Sequence, residues 1–289
     1  GGRLWRAGQE TVSIRITGHP GQRVGSMGFP HTVIEVLGPV SDDVGWLNAG
    51  AEIVVHGNAG NGAANAMSQG RILVGGNIGA RGMTMTKHNP RFSAPELWVL
   101  GSAGDYFGEF MAGGIAVICG HEAQTPENVL GHRPLVGMVG GKVFFRGPHD
   151  GFSQADARPA PIGEADWDWL LPHLKVFLKK IGRSELLRVL AEREHWQLLV
   201  ARKPNEKAGR ATRSIGAFHR EVWDADLGPG GLIGDLTRID RSVIPLIVTG
   251  SLRRFVPVWE NQKYAAPCEA SCPTGIPVQR RWQLIREGR

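Results

Sequence analysis

The chain has 289 residues with 33 Lys/Arg, 27 Asp/Glu and a net charge of +6. Residues 1–150 hold 11 basic and 11 acidic side chains against 22 and 16 in 151–289, so the excess is spread over solvated segments rather than packed into a basic block, and nucleic acid is excluded as a partner. No window of 18 apolar residues and no charged-then-apolar leader occurs, which predicts neither a membrane span nor a signal peptide and therefore a cytoplasmic protein, and three cysteines make no disulfide framework.

The sequence opens at Gly1-Gly2 without methionine, which reads as a fragment or a processed product. The first predicted element is a strand over Thr11–Ile16, closed by a turn at Gly18-His19-Pro20-Gly21. From Gly38 to Gly147 glycine then returns at a fixed interval. Gly38, Gly57 and Gly76 are nineteen residues apart, as are Gly101 and Gly120. Gly45, Ala64 and Gly108 lie seven residues after their boundary glycines, and Gly50, Gly70, Gly113/Gly114 and Gly140/Gly141 precede the β-branched or aromatic runs 53–55, 72–74, 115–118 and 143–145. A period near 20 with glycine at sharp corners predicts stacked repeats, each burying its apolar residues only against its neighbours. The expected fold is therefore mainly β: a right-handed parallel β-helix over 1–150, with surface insertions around 87–93 and 122–132 and a C-terminal helical and extended extension.

Beyond Gly147 the pattern changes to a helical one. Trp167, Leu170, Leu171, Leu174, Phe177, Leu178 and Ile181 recur at three- and four-residue intervals, and Gly182 stops the helix. A second helix is predicted from Ser184 to Leu199, so residues 151–203 read as a helical hairpin. Residues 204–265, broken by Pro204, Gly228-Pro229-Gly230-Gly231 and Pro245, read as an extended strap or linker. The last segment, 266–289, carries Pro267-Cys268-Glu269-Ala270-Ser271-Cys272-Pro273. A Cys-x3-Cys-Pro run is the tail of an iron–sulfur ligand pattern, and thiolates are soft donors that suit iron. Cys268 and Cys272 are thus the candidate metal ligands, half of what a four-iron cluster needs. Cys119 reads as buried packing. His56 and the His149-Asp150 pair are the histidines worth locating, since no two-histidine metal spacing occurs.

The repeat block, with Gly101-Ser102-Ala103-Gly104, Phe107-Gly108 and Met111-Ala112-Gly113-Gly114 as its closest piece, resembles the GXGXG domain at the C-terminal end of the glutamate synthase large subunit. Residues Ala266–Val278 are similar to the opening of the iron–sulfur domain in small-subunit-like glutamate synthase oxidoreductases. The resemblance implies a scaffold and electron-input portion of an oxidoreductase that makes glutamate from 2-oxoglutarate, glutamine and reductant. It implies an incomplete 4Fe-4S ligand set at Cys268 and Cys272, with FAD and NADPH on a further domain. Its expected partners are FMN-domain and amidotransferase subunits in a hetero-oligomer, and no catalytic residue is expected in this chain. Two alternatives stay open. One is a structural β-helix subunit of a formylmethanofuran dehydrogenase-like metal oxidoreductase. The other is a polysaccharide-active enzyme, which would need carboxylates stacked on one face, whereas Glu52 is followed by Arg71 and Ile115 at the corresponding positions and Asp42, Asp43 and Asp105 do not coincide.

Overall fold

The computed structural model describes residues 10–203 together with residue 206, all within the compact unit spanning 1–208. Seven short strands follow one another at about the glycine interval: β1 (Val12–Ile16), β2 (Thr32–Val36), β3 (Ala49–Val55), β4 (Gln69–Val74), β5 (Glu96–Val99), β6 (Ala112–Ile118) and β7 (Gly140–Arg146). Each pairs in parallel with the next, and β9 (Trp196–Ala201) then adds antiparallel to β7, with β8 (Ala157–Ala160) outside it. The strand order is β1-β2-β3-β4-β5-β6-β7-β9-β8.

This corrects the expected right-handed parallel β-helix. The named strands make one open, mostly parallel nine-stranded sheet, and among the described residues no second or third sheet closes around them. The physical reason lies in the segments between strands. They return the chain by turns whose backbone alternates in hand, and outside the strands β-pairing among the described residues is limited to the single bridges Val40–Ala59, Ala59–Ile78 and Lys87–Ala112. The glycine period is real, but most of the glycine marks fall in these turns or at their junctions with the strands.

Register explains the two faces of the sheet. One row runs Ile14, Ile34, Ile53, Ile72, Leu97, Ala116, Val143 and Leu199, and a second runs Ile16, Val36, Val55, Val74, Val99, Ile118 and Phe145. From β2 onward these aliphatic rows are buried against turn residues such as Val44, Ala64, Met83, Phe107 and Leu135. The alternate row, Val54, Leu73, Trp98, Val117, Phe144 and Leu198, faces the other way and is covered by α1 (Glu164–Lys180). Because side chains alternate across a strand, near-continuous apolar runs are what a sheet buried on both faces requires.

Helix α1 forms where the three- and four-residue spacing predicts it. Leu170, Leu174, Phe177 and Leu178 are buried, Asp166 reaches back to the Gly163 N–H at the start, and Gly182, at φ 74°, follows its end. Trp169 stacks on Trp98 and Phe144 with ring centroids 5.8 and 5.9 Å apart. The helical hairpin expected over 151–203 is corrected. After α1 come two 3-10 turns (Ser184–Leu186 and Arg193–His195) with the one-turn α2 (Leu187–Leu190) between them, and the run Trp196–Ala201 is strand β9. The exposed edge of β7 supplies the partner that turns this apolar run into a strand, an influence a local helical spacing cannot register. The expected insertions divide. Residues 87–93 lie mostly on the surface, whereas Asn128, Val129, Leu130 and Gly131 fold back into the buried core. Among the described residues no helix is long and apolar enough to cross a membrane.

Candidate functional site

The predicted metal ligands Cys268 and Cys272 lie outside the described residues. Cys119, the free cysteine among the described ones, is fully buried at the end of β6, and burial pushes its thiol far above the ordinary range, with the nearby Arg146 charge offsetting only part of that. It is therefore not a ready thiolate. Among the described residues, no group of three or more His, Cys, Asp or Glu side chains is placed to hold a metal ion.

The two marked histidine positions are accounted for locally. His56 Nε2 lies 3.0 Å from Glu35 Oε1, and hydrogen bonds from Arg15 first and His56 second hold the Glu35 carboxyl below its usual range. The His149 ring stands edge-on to Phe145 at 5.3 Å and tilted against Phe152 at 5.8 Å, whereas the Asp150 carboxylate accepts from Asn128 Nδ2 at 2.9 Å, so the neighbours in sequence serve different partners. His149 also lines a cavity of 690 Å³ beside β8 and β9 with Phe152, Ile162, Trp196 and Arg193. Arg193 is already committed to Glu164 and to the Ile162 carbonyl.

The most organised backbone in the molecule is in the turns. In six successive turns three alternate residues have positive φ: 23, 25 and 27; 43, 45 and 47; 62, 64 and 66; 81, 83 and 85; 106, 108 and 110; 133, 135 and 137. These positions sit in the left-handed region, at φ between 50° and 72°. The outer two of each of the first five triplets donate their N–H to the following turn: Arg23 to Asp42 O, Met27 to Trp46 O, Asp43 to Asn61 O, Leu47 to Asn65 O, and so on to Phe110 to Val136 O. The middle one donates to the preceding turn: Gly45 to Val24 O, Ala64 to Val44 O, Met83 to Ala63 O, Gly108 to Gly82 O and Leu135 to Phe107 O. Alternating the backbone hand points successive N–H groups up and down the stack, so each turn bonds both neighbours without being a strand. A left-handed conformation costs an L-residue roughly 1 kcal/mol or more, a cost that glycine avoids at positions 25, 45, 62, 108 and 137. The bond each such N–H makes is worth about 1 kcal/mol, enough to hold Arg, Asp, Met, Leu, Tyr and Phe there.

Side chains reinforce the stack. Asp42 Oδ1 accepts from the Asn61 N–H, and Asn61 Oδ1 from the Ala80 N–H. Asn58 Oδ1 accepts from the Asn77 N–H, and Asn77 Oδ1 from the N–H groups of Ser102 and Gln124 and from the Ser102 hydroxyl. Asp105 Oδ1 accepts from the His132 N–H at 2.9 Å. These carboxylates and amides are engaged in capping backbone donors and do not form the stacked acidic face a polysaccharide-active site needs. The register also places Glu52 beside Arg71, Arg71 beside Glu96 and Glu96 beside Ile115, so that row changes sign along the sheet.

Gly25, Gly45, Gly62, Gly108 and Gly137, with Ala64 and Ala66, are the glycine and alanine members of these triplets. A model of the GXGXG motif matches residues 5–159. The chain belongs to the GXGXG motif family. That family is related to a domain of the glutamate synthase large subunit. An uncharacterized protein of Methanocaldococcus jannaschii is 29% identical over 175 residues, covering 53% of this chain. The match spans 66% of that protein's length, just under two thirds. The sequence singled out Gly45, Ala64 and Gly108, which are the middle positions of their positive-φ triplets. The outer positions escaped because Arg, Asp, Met, Leu, Tyr and Phe fill most of them, and the signal that finds them is the two-residue offset on either side of the middle one.

Proposed function

We propose that the chain supplies the scaffold and electron-input portion of a glutamate synthase-type oxidoreductase, with the GXGXG unit itself non-catalytic. The observation that carries this reading is the GXGXG turn stack, in a family related to that enzyme's large subunit, whose polar groups are spent on neighbouring turns. Backbone donors and capping carboxylates engaged in this way suit a rigid spacer between other units better than a reaction centre, which needs groups left available for substrate. The electron-input part rests on Cys268 and Cys272. Two thiolates in a Cys-x3-Cys-Pro run fit the donor chemistry of an iron–sulfur cluster as half of a four-ligand set, so the cluster draws its other ligands from outside this pair. Such a cluster, when bound, relays single electrons. FAD and NADPH belong, on this reading, to a further domain, and the partners are FMN-domain and amidotransferase subunits of a hetero-oligomer.

The test is iron and labile sulfide per polypeptide after anaerobic purification of the chain together with its downstream reading frame. Iron that falls to background in Cys268→Ser and Cys272→Ser is the expected result. Iron-free protein, or iron indifferent to both substitutions, would remove the electron-input role and leave a structural subunit.

A further inference from the structure

The last positions of the positive-φ triplets form a stripe that neither the core nor the backbone explains. Met27, Leu47, Ala66, Met85 and Phe110 are equivalent residues of five successive turns, each bonded through its N–H to the residue before its counterpart in the following turn. All five have φ between 50° and 55°. Glycine would suit the conformation best, as Gly137 does in the sixth turn, and an exposed left-handed residue is otherwise commonly Asn or Asp. Here the side chains are large, apolar and open to solvent: Met27 is 47% exposed, Leu47 37%, Met85 62% and Phe110 55%. The Phe110 ring lies over Gly137, where a Cβ would come within 2.4 Å of it, and closes the stripe at that end. A contiguous exposed apolar surface on a folded chain marks an interaction site.

We infer that this stripe is a docking surface for an amphipathic helix of a protein partner, acidic along one flank. The spacing selects a helix. Successive turns are about 4.8 Å apart, as neighbouring strands are, and a helix turn rises about 5.4 Å, so its i, i+3, i+7 and i+10 side chains meet four successive turns of the stripe. Four steps make about 19 Å, the length of about 13 helical residues. An extended strand repeats the same face every ~6.7 Å and loses register within two or three turns. Ala66, between Leu47 and Met85, leaves a notch for a large apolar knob. The acidic flank answers the adjoining column, where Arg23 lies over Trp46 at 4.9 Å, and Arg81 and Arg133 lie over Tyr106 at 5.4 and 6.0 Å. Asp43 pairs with Arg23 and Glu109 with Arg81, while Asp42 and Asp105 are spent on the Asn61 and His132 N–H groups, which leaves Arg133, without an ion pair among the described residues, as the cation for the acidic flank. The inference does not depend on Cys268 or Cys272.

The probe is a stapled helical peptide of about 14 residues with Leu at i, i+3, i+7 and i+10 and Glu on one flank, titrated by fluorescence anisotropy into the full chain. Binding is expected to weaken about tenfold or more in the Met85→Ser/Phe110→Ser double variant, and about threefold when Lys replaces Glu in the peptide. Peroxide oxidation of the unsubstituted chain gives a readout that needs no variant. Met27 and Met85 should oxidise well ahead of the buried Met67 and Met111, and saturating peptide should protect Met85. The idea fails if the peptide does not bind, if the double variant binds it equally, or if Met85 is already as slow as Met67 in the full chain alone. That last outcome would mean the stripe is covered by a second copy or by the chain itself, and sedimentation would tell these apart.

Discussion

At the scale of single residues, the turn stack depends on a few side chains that complete backbone bonding, and Asn77 is the most heavily used. Its amide oxygen accepts from Ser102 N–H, Gln124 N–H and the Ser102 hydroxyl, all at 2.8 to 2.9 Å, while its own N–H is capped by Asn58. Removing the acceptor strands donors that are only partly reached by water. Asn77→Ala should therefore lower unfolding stability by about 2 kcal/mol, and Asn77→Asp, which keeps the oxygen, should lose less than half as much. A urea midpoint series on the two variants checks the order, and equal losses would assign the effect to packing instead. Glycine is irreplaceable at fewer places than its frequency suggests. Gly131, at φ 70°, is one, because a Cβ there would sit 2.3 Å from the Gly104 backbone, which cannot move aside as a side-chain end can.

Among the elements, α1 carries the greatest share of the second core. Its Leu174 is fully buried between the sheet row Val54, Leu73, Trp98, Val117 and Phe144 and the segment that returns to β9. Leu174→Ala leaves a cavity that the Trp98–Trp169–Phe144 stack is poorly able to fill, and should cost about 2–5 kcal/mol. Thermal unfolding followed by tryptophan fluorescence measures it. A smaller loss would mean that α1 shifts to close the gap. Polar contacts at the rim of the same layer, Lys142 to Asp166 and Arg193 to Glu164, are exposed and should each matter far less.

Taken as a whole, the molecule ties its turn layer to its helical layer partly by charge. The Arg183 guanidinium holds the Glu122 carboxyl below its ordinary value of 4.5, and Arg15 followed by His56 does the same for Glu35. A carboxyl whose folded value is depressed stabilises the fold fully above its unfolded value and loses that contribution as pH falls through the lower folded value. Stability should accordingly fall as pH drops below 4.5, and Glu122→Gln should flatten part of that limb in a urea midpoint series against pH. A limb unchanged by Glu122→Gln would place the acid sensitivity elsewhere. The period of the molecule, the strands at 53–55, 72–74, 115–118 and 143–145, the helix from Trp167 and the equivalence of Gly45, Ala64 and Gly108 were all determined by the sequence alone, because glycine placement and apolar spacing are local constraints on the backbone. Only the tertiary structure decided that the strands share one open sheet instead of a β-helix, that Trp196–Ala201 extends rather than coils, and that Met27, Leu47, Met85 and Phe110 align on the surface. Each of those depends on which distant N–H meets which carbonyl, and the identity of a hydrogen-bond partner about twenty to sixty residues away leaves no mark on local spacing.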